Sequence, residues 1–445
     1  MATKKQNSDQ SETPQNAYFL SLELEDVRCF GEKQKIDFSD GNGNWKKWTI
    51  ILGDNGTGKT SILQSLVAMA PDVDVRISPK EVTPKWVCYD SYLHDWLPYR
   101  ENRSYLKANL FYEIDSNKKN SSYFCEKKDY IGASYNHLPD KNKIRMICLA
   151  YGTTRKIGES MLSGQNEEDL FLTLFSETAS LINPEEWLLQ TDYASSRNSR
   201  FKELRRSELN FVKEILIKIL PDVNNIRVSE KELRNKRTPQ PIVEFKTPYG
   251  WVEAKDLSLG YRTSMAWMVD FASRMFELYP KSENPLAEPA VVLIDEIDLH
   301  LHPKWQRDLL DWLSDLCPNT QFIVTTHSPL IVQAAAARDA NFAVCRREGD
   351  HVVIDQSVDA VRGWRADQIL SSDLFDVPKR DSELEKWLKE KETILSKPKL
   401  TKKDESRLAE LEEKIGFLPI SENGKDDEAM KIIREAADWV KTNSK

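Results

Sequence analysis

No stretch of this sequence approaches the roughly 20 consecutive apolar residues that a membrane-spanning helix needs, so no membrane partner is expected. The start, Met1-Ala2-Thr3-Lys4-Lys5-Gln6, runs into a polar tail without the apolar segment of a secretory signal. Cysteines are few: Cys29, Cys88, Cys125, Cys148, Cys317 and Cys345 lie far apart, with no CxxC pair. That spacing argues against a disulfide frame or a zinc site and for reduced thiols in a cytoplasmic protein. Basic charge is not in excess either. A net charge of −8 excludes a uniformly basic wrapper of nucleic acid, though local basic stripes remain open to it. Internal repeats are absent.

What is present suits a sizeable α/β core, with 40% hydrophobic and 30% charged residues in a chain of 445. At about 150 residues per domain, two or three units are expected, or one large α/β unit with an appendage. Residues 1–16 are polar and read as a disordered leader. Phe19-Leu20-Ser21-Leu22-Glu23-Leu24 alternates like a half-buried strand, and Gln34–Phe38 repeats the period. Asp40-Gly41-Asn42-Gly43-Asn44 reads as a turn. Trp48–Leu52 is a short buried strand, and Ser61–Ala70 a helix stopped by Pro71.

From about 72 to 248 the pattern is mixed, with its clearest helix at Phe211–Leu220, closed by Pro221. Helix and strand then alternate, and Ala290–Ile294 and Gln321–Thr325 read as strands covered on both faces. After Pro378 the chain becomes rich in Glu and Lys. Two narrow apolar stripes (Leu384, Trp387, Leu388 and Ile394; Leu408, Leu411 and Ile415) flank Pro398 and a Thr401–Asp404 cap, predicting a helical hairpin. A last helix is expected over Asp426–Lys441, its apolar stripe free to dock a partner or to pack on the hairpin.

Four constellations carry chemistry. Gly53-Asp54-Asn55-Gly56-Thr57-Gly58-Lys59-Thr60 fits G-x-x-x-x-G-K-[ST] between a strand and a helix. Glycines let backbone N–H groups curl around phosphates, and the helix N-terminus adds positive potential. Lys59 reaches the β and γ oxygens, Thr60 offers a hydroxyl to Mg²⁺, and Ser61 is counted with the phosphate-binding set. Second, the strand Ala290–Ile294 ends in Asp295 and Glu296, two carboxylates at the sheet edge where open α/β folds bind ligands. Asp295 suits the Mg²⁺ shell through water, and Glu296 suits a general base on attacking water.

Third, Asp256-Leu257-Ser258-Leu259-Gly260-Tyr261-Arg262 opens a helix, where serine and glycine form an anion site or simply a cap. Fourth, Val324-Thr325-Thr326-His327-Ser328-Pro329 puts a histidine at a strand end, structural or functional in equal measure.

These four motifs resemble the ATP-binding-cassette (ABC) ATPases, in particular the soluble SMC/RecF branch. Asn55-Gly56, Asp295-Glu296 followed by His300-Leu301-His302-Pro303, and Thr326-His327-Ser328 carry that likeness. The resemblance implies an α/β P-loop head with a mixed sheet, an antiparallel β lobe and a helical insertion, spanning residues 17–375. A C-terminal helical appendage over 376–445 would follow. It also implies ATP and Mg²⁺ as ligands and a homodimer or higher homo-oligomer in which two heads sandwich two ATP molecules. Ser258 and Gly260 would contact the γ-phosphate bound to a partner subunit, Asp298 would lie in the interface loop, and His327 would sense that phosphate. The chain departs from the pattern in reading Leu-Ser-Leu-Gly-Tyr at the signature. It also offers only Gln165 and Gln190 as candidates for the Q-loop glutamine.

About 200 residues between Lys59 and Ser258 are too few for SMC coiled-coil arms. Ala150-Tyr151-Gly152-Thr153-Thr154-Arg155, Pro184–Leu188 and Trp364–Phe375 are similar to anti-phage defence ATPases of the Septu and retron-associated type. Such ATPases generally accompany a separate nuclease subunit, and no nuclease motif is visible here: the six histidines form no HNH-like cluster. The expected function is thus an ATP-hydrolysing subunit of a defence complex that controls a partner nuclease. Two other readings are a RecF-like repair ATPase that binds DNA itself and a nucleotide-gated scaffold with little turnover. Arg197, Arg200, Lys202, Arg205 and Arg206, then Lys231, Arg234, Lys236 and Arg237, read first as solvated helix faces and second as candidate DNA tracks.

Overall fold

A computed structural model describes residues 15–70, 103–114, 117–128, 144–158, 170–198, 200–220, 222–231, 239–356, 363–370, 372, 374–375, 382–395, 397 and 401–415. The chain separates into two compact units, 1–375 and 376–445. In the first, β1 (Gln15–Glu25) and β2 (Gln34–Asp37) pair antiparallel, β3 (Trp48–Gly53) enters the central sheet, and α1 (Lys59–Met69) follows its loop. β4 (Arg103–Ile114) and β5 (Asn117–Lys128) extend the first sheet in the order β2-β1-β4-β5, while β6 (Ile144–Arg145) runs parallel to the start of β1. β7 (Cys148–Tyr151) edges the central sheet, and β8 (Lys156–Ile157) pairs with β9 (Ser180–Leu181) around α2 (Leu172–Phe175).

Helices α3 (Pro184–Ser196) and α4 (Lys202–Ile219) precede an antiparallel sheet of β10 (Asn225–Lys231), β11 (Gln240–Thr247) and β12 (Gly250–Glu253). Then come α5 (Leu259–Leu278), β13 (Ala290–Ile294), α6 (Pro303–Leu316), β14 (Thr320–Thr325), α7 (Pro329–Ala337), β15 (Asn341–Glu348), β16 (His351–Asp355) and α8 (Ala366–Leu370). The central sheet runs β16-β15-β3-β14-β13-β7 and is parallel except for β16.

Its strands are apolar throughout because both faces are covered. Trp48, Ile50, Leu52, Leu149, Tyr151, Val292, Ile294, Phe322 and Val324 face the larger core with α3–α7. The alternate residues Ile51, Ala150, Val291, Leu293 and Ile323 face a second core made with β1, β2 and α1. This period of two is the strand pleat read directly in burial.

Three sequence expectations shift. β1 is buried on both faces, Ser21 and Glu23 included, instead of half-buried. The reason is its seat on the central sheet: the Gln321 side chain accepts from the Phe19 N–H and donates to its carbonyl at 2.9 and 2.8 Å, and Lys33 pairs with Glu23 at 2.8 Å. The strand also begins at Gln15, inside the expected leader, because Gln15 and Asn16 pair with Ile144 and Arg145. The helix expected at Phe211–Leu220 starts earlier, at Lys202.

In the second unit α9 (Ser382–Leu395) and α10 (Lys402–Ile415) form a hairpin around buried Ile394 and Leu411. Arg407 donates to both oxygens of Glu390, at 2.8 and 3.0 Å. Thr401 and Asp404 exchange hydrogen bonds as a capping box: the Thr401 N–H donates to the Asp404 carboxylate and the Asp404 N–H to the Thr401 hydroxyl. The helix expected over Asp426–Lys441 lies outside the described residues. Among those described, no helix is long and apolar enough to cross a membrane.

Candidate nucleotide site

The carboxyl ends of β3, β14, β13 and β7 lie side by side, and each delivers part of one site. After β3 the loop turns through Gly53, Gly56 and Gly58, with φ of 143°, 79° and 79°. A side chain at Gly58 would overlap the Cys29 thiol and lie 2.9 Å from the Phe30 ring, whereas at Gly56 it would meet open space. Gly58 is also the N-cap of α1, which has no side-chain cap and no acidic residue in its first turn. The helix therefore presents uncapped N–H donors, a ready anion site. Thr57 closes the loop by donating to the Asp54 carbonyl at 2.8 Å.

Lys59 is buried and folds back to donate to the carbonyls of Gly53 and Asp54, each at 2.8 Å. Burial lowers its pKa, against the pull of the Cys345 thiol and of Asp295, Glu296 and Asp54. Thr60 Oγ1 donates to Asp295 Oδ2 at 2.6 Å, joining the loop to the end of β13. The other Asp295 oxygen accepts from Thr325 Oγ1 at 2.6 Å. The same hydroxyl accepts the Glu296 N–H at 2.7 Å.

Glu296 takes a left-handed φ of 49°, uncommon for a residue with a side chain. Among the described residues its carboxylate makes no hydrogen bond, and it is part-exposed. A glycine loop with uncapped N–H donors, a lysine held by replaceable carbonyl contacts and an adjoining hydroxyl–carboxylate pair fit a nucleoside triphosphate. Thr60 and Asp295 fit its magnesium ion.

Among the described residues, no hydrogen bond joins the other candidates to the phosphate loop. His327 is exposed at the end of β14, beside Thr326, which donates to Asp298, and Ser328, which caps α7. Ser258 is the exposed N-cap of α5, and no hydrogen bond among the described residues joins it or Gly260 to the P-loop. Gly260 is instead pressed onto the same chain's His300 carbonyl, where a Cβ would lie 2.5 Å away. His302 caps α6 by accepting the Lys304 N–H, a structural role.

Gln190, a candidate Q-loop residue, sits exposed on α3 bonded to Glu186 at 3.0 Å, away from the nucleotide loop; Gln165 lies outside the described residues. In the first basic track Arg197 lies over the Tyr193 ring and Arg200 over Phe201, while Arg205 pairs with Glu208. Lys231 of the second pairs with Glu253, and Arg234, Lys236 and Arg237 lie outside the described residues. Among the described residues, Cys29, Cys148, Cys317 and Cys345 form no disulfide.

Three residues had no role in the sequence reading, although Thr325 and Arg155 stand in motifs quoted there. Arg28, at φ 51°, donates to Ser61 Oγ at 3.4 Å and Gln64 Oε1 at 3.1 Å on the first turns of α1. Thr325 is the bridge described above. Arg155 underlies the acidic turn, donating to the Asp295 and Glu296 carbonyls.

Fold and loop define a P-loop ATPase fold of the α/β class. Two family models match, "AAA domain, putative AbiEii toxin, Type IV TA system" over residues 171–333 and "AAA domain" over 21–240. The chain is 27% identical over 385 residues to the Septu protein PtuA of Bacillus mycoides (strain KBAB4), covering 86% of this chain and 48% of that protein. It is 32% identical over 202 residues to "Retron Ec83 probable ATPase" of Escherichia coli, covering 45% and 34%. With "Retron Vc95 probable ATPase" of Vibrio cholerae serotype O1 biovar El Tor it shares 36% over 135 residues, covering 30% and 25%. The chain thus spans about half or less of the length of these relatives. A solved SMC head bound to the C-winged helix domain of ScpA aligns with 76% of the chain and 97% of its own, at 18% identity and a TM-score of 0.40. The likeness to the Septu protein and to retron-associated ATPases, read first in the motifs, is shown by these relatives.

Proposed function

We propose that this chain is a cytoplasmic ATPase subunit of a prokaryotic anti-phage complex, in which ATP binding joins two heads and hydrolysis releases them to control a partner nuclease. The observation that carries it is the meeting of Lys59, Thr60, Asp295 and Glu296 at the carboxyl ends of β3 and β13, the two strands that flank β14, with Glu296 fixed through its backbone and, among the described residues, unbound at its carboxylate. The loop N–H groups and Lys59 bind the triphosphate, Lys59 exchanging its carbonyl contacts for phosphate oxygens. Glu296 accepts a proton from water as that water attacks the γ-phosphorus in line, and the positive groups stabilise the charge that develops. Thr60 and Asp295 would hold a magnesium ion, which would supply neutralisation of phosphate charge. Ser258 and Gly260 complete the site on a second copy's nucleotide, and His327 contacts the γ-phosphate.

The N-terminus of α5, with Ser258 exposed, supports the composite site, because it is an anion site with no side-chain cap among the described residues. The test is ATP turnover and assembly size of the wild type and Glu296→Gln, with the neighbouring gene's product present. Turnover lost in the variant, with an ATP-bound assembly that persists and alters nuclease output, supports the reading. Unchanged turnover contradicts it.

Direct DNA binding is favoured by one observation. Tyr193 and Phe201, 59% and 49% exposed, each lie under an arginine, a pairing suited to stacked bases and phosphates. Salt-sensitive DNA binding that is lost when Arg197 and Arg200 become alanine would establish it.

A further inference from the structure

The segment Tyr151–Arg155 has no part in the roles assigned above, yet it is built against the acidic turn. β7 and β13 run parallel with Tyr151 opposite Ile294, and the Asp295 N–H donates to the Tyr151 carbonyl at 2.8 Å. The ladder therefore carries residues 152–155 alongside Asp295 and Glu296. Gly152 permits it, since a Cβ there would overlap the Thr173 carbonyl of α2. Arg155 then turns with a positive φ of 36°, a backbone conformation seldom adopted by a residue with a side chain. It folds beneath the turn, where only 3% of its surface remains exposed.

Its Nη2 donates to the Asp295 carbonyl at 3.2 Å and to the Glu296 carbonyl at 2.7 Å. Its Nε is buried without a hydrogen-bond partner among the described residues, and Asp298, Asp295 and Glu296 surround it as counter-charges. Burial lowers its pKa to about 10, so it stays cationic at neutral pH.

Glu296 is thus fixed at both ends of its residue: its N–H is held by Thr325, and its carbonyl by Arg155 and by the Leu299 N–H at 3.0 Å. Among the described residues only its carboxylate is left unbound. A left-handed residue persists when its surroundings over-determine it, and these three contacts do so, Arg155 being the one that comes from outside the turn and its strand pair. We propose that Arg155 is a positioning residue for hydrolysis, holding Glu296 in the left-handed turn that aims its carboxylate at the attacking water. The inference rests on the hydrolytic reading above and adds to it a residue that touches neither nucleotide nor water. Phosphate contacts belong to the loop and α1, to which no hydrogen bond among the described residues joins Arg155, so the clamp is expected to bear on turnover more than on affinity.

The test compares full-length wild type, Arg155→Ala, Arg155→Lys, Glu296→Gln and the Arg155→Ala/Glu296→Gln double variant. Each is assayed for fluorescent-ATP affinity and for kcat and KM. Arg155→Ala is expected to lower kcat about tenfold or more with nucleotide Kd within about twofold. Because Arg155 acts through Glu296, the double variant is expected to be no slower than Glu296→Gln alone. Wild-type turnover in Arg155→Ala, or a second full loss in the double variant, overturns the proposal while leaving the hydrolytic reading intact.

If Arg155→Ala fails to bind nucleotide, Arg155→Lys, which keeps the buried charge on a shorter side chain, carries the test. Reduced kcat with retained affinity supports the proposal, and wild-type kcat overturns it. A wild type that binds ATP without hydrolysing it removes the hydrolytic reading and this inference together.

Discussion

Thr60 and Asp295, 235 residues apart in sequence, share a 2.6 Å hydrogen bond that joins the phosphate loop to the end of the neighbouring strand pair. The bond brings together the hydroxyl and the carboxylate that would share a small divalent cation, Thr60 directly and Asp295 through water. Asp295→Asn is expected to weaken ATP affinity about tenfold or more in magnesium and to change it little in EDTA. Equal weakening in both buffers would separate Asp295 from the ion.

Thr325 ties the two acids together, donating to the Asp295 carboxylate and accepting the Glu296 N–H. Thr325→Val keeps the shape and removes both bonds in a buried place. A loss of about 1–3 kcal/mol in stability is expected in denaturant, with turnover falling too. Full turnover in the variant would show that Glu296 holds its place without this bond.

Two loop glycines share φ 79° but not surroundings. Gly58→Ala forces a methyl into Cys29 and Phe30, while Gly56→Ala costs only the backbone strain of about 1–2 kcal/mol. Thermal melts with and without ATP should show Gly58→Ala losing far more stability, and nucleotide binding with it. Similar melting of the two variants would contradict the packing argument.

Burial pushes Cys148, Cys317 and Cys345 up to about 12 from 9.0. Below pH 9 these thiols are neutral in both folded and unfolded chains and contribute no pH dependence. As pH rises from 9 towards 12 the unfolded thiols ionise while the folded ones stay protonated, so the unfolded state gains and stability falls. Melting temperature should decline over that window, less steeply when the three are alanine. A slope unchanged in that variant would assign the decline to other groups.

Much of the site was readable in sequence because its chemistry is local. Glycine loop, lysine and threonine occupy eight consecutive positions, and Asp295-Glu296 follows an apolar strand directly. The central strands were readable for a similar reason, since burial on both faces leaves continuous apolar runs. Arg28, Arg155 and Glu296 owe their placement to positive φ values that no residue type announces, since all three carry side chains. β1 misled because Ser21 and Glu23 are polar yet buried, and strand alternation cannot foretell a covering layer. Gln190 misled through its residue type alone: its amide is satisfied one helical turn back, by Glu186.

The composite site is tested most directly by mixing two inactive chains. Lys59→Ala removes a copy's own nucleotide loop, and Ser258→Arg blocks what it offers to its partner. Each alone should hydrolyse ATP at background. An equimolar mixture that exchanges freely into dimers should recover about a quarter of wild-type sites, because half the dimers pair one intact loop with one intact serine. Wild-type turnover by Ser258→Arg alone, or no recovery from a mixture shown to exchange subunits, would contradict a nucleotide shared between two copies.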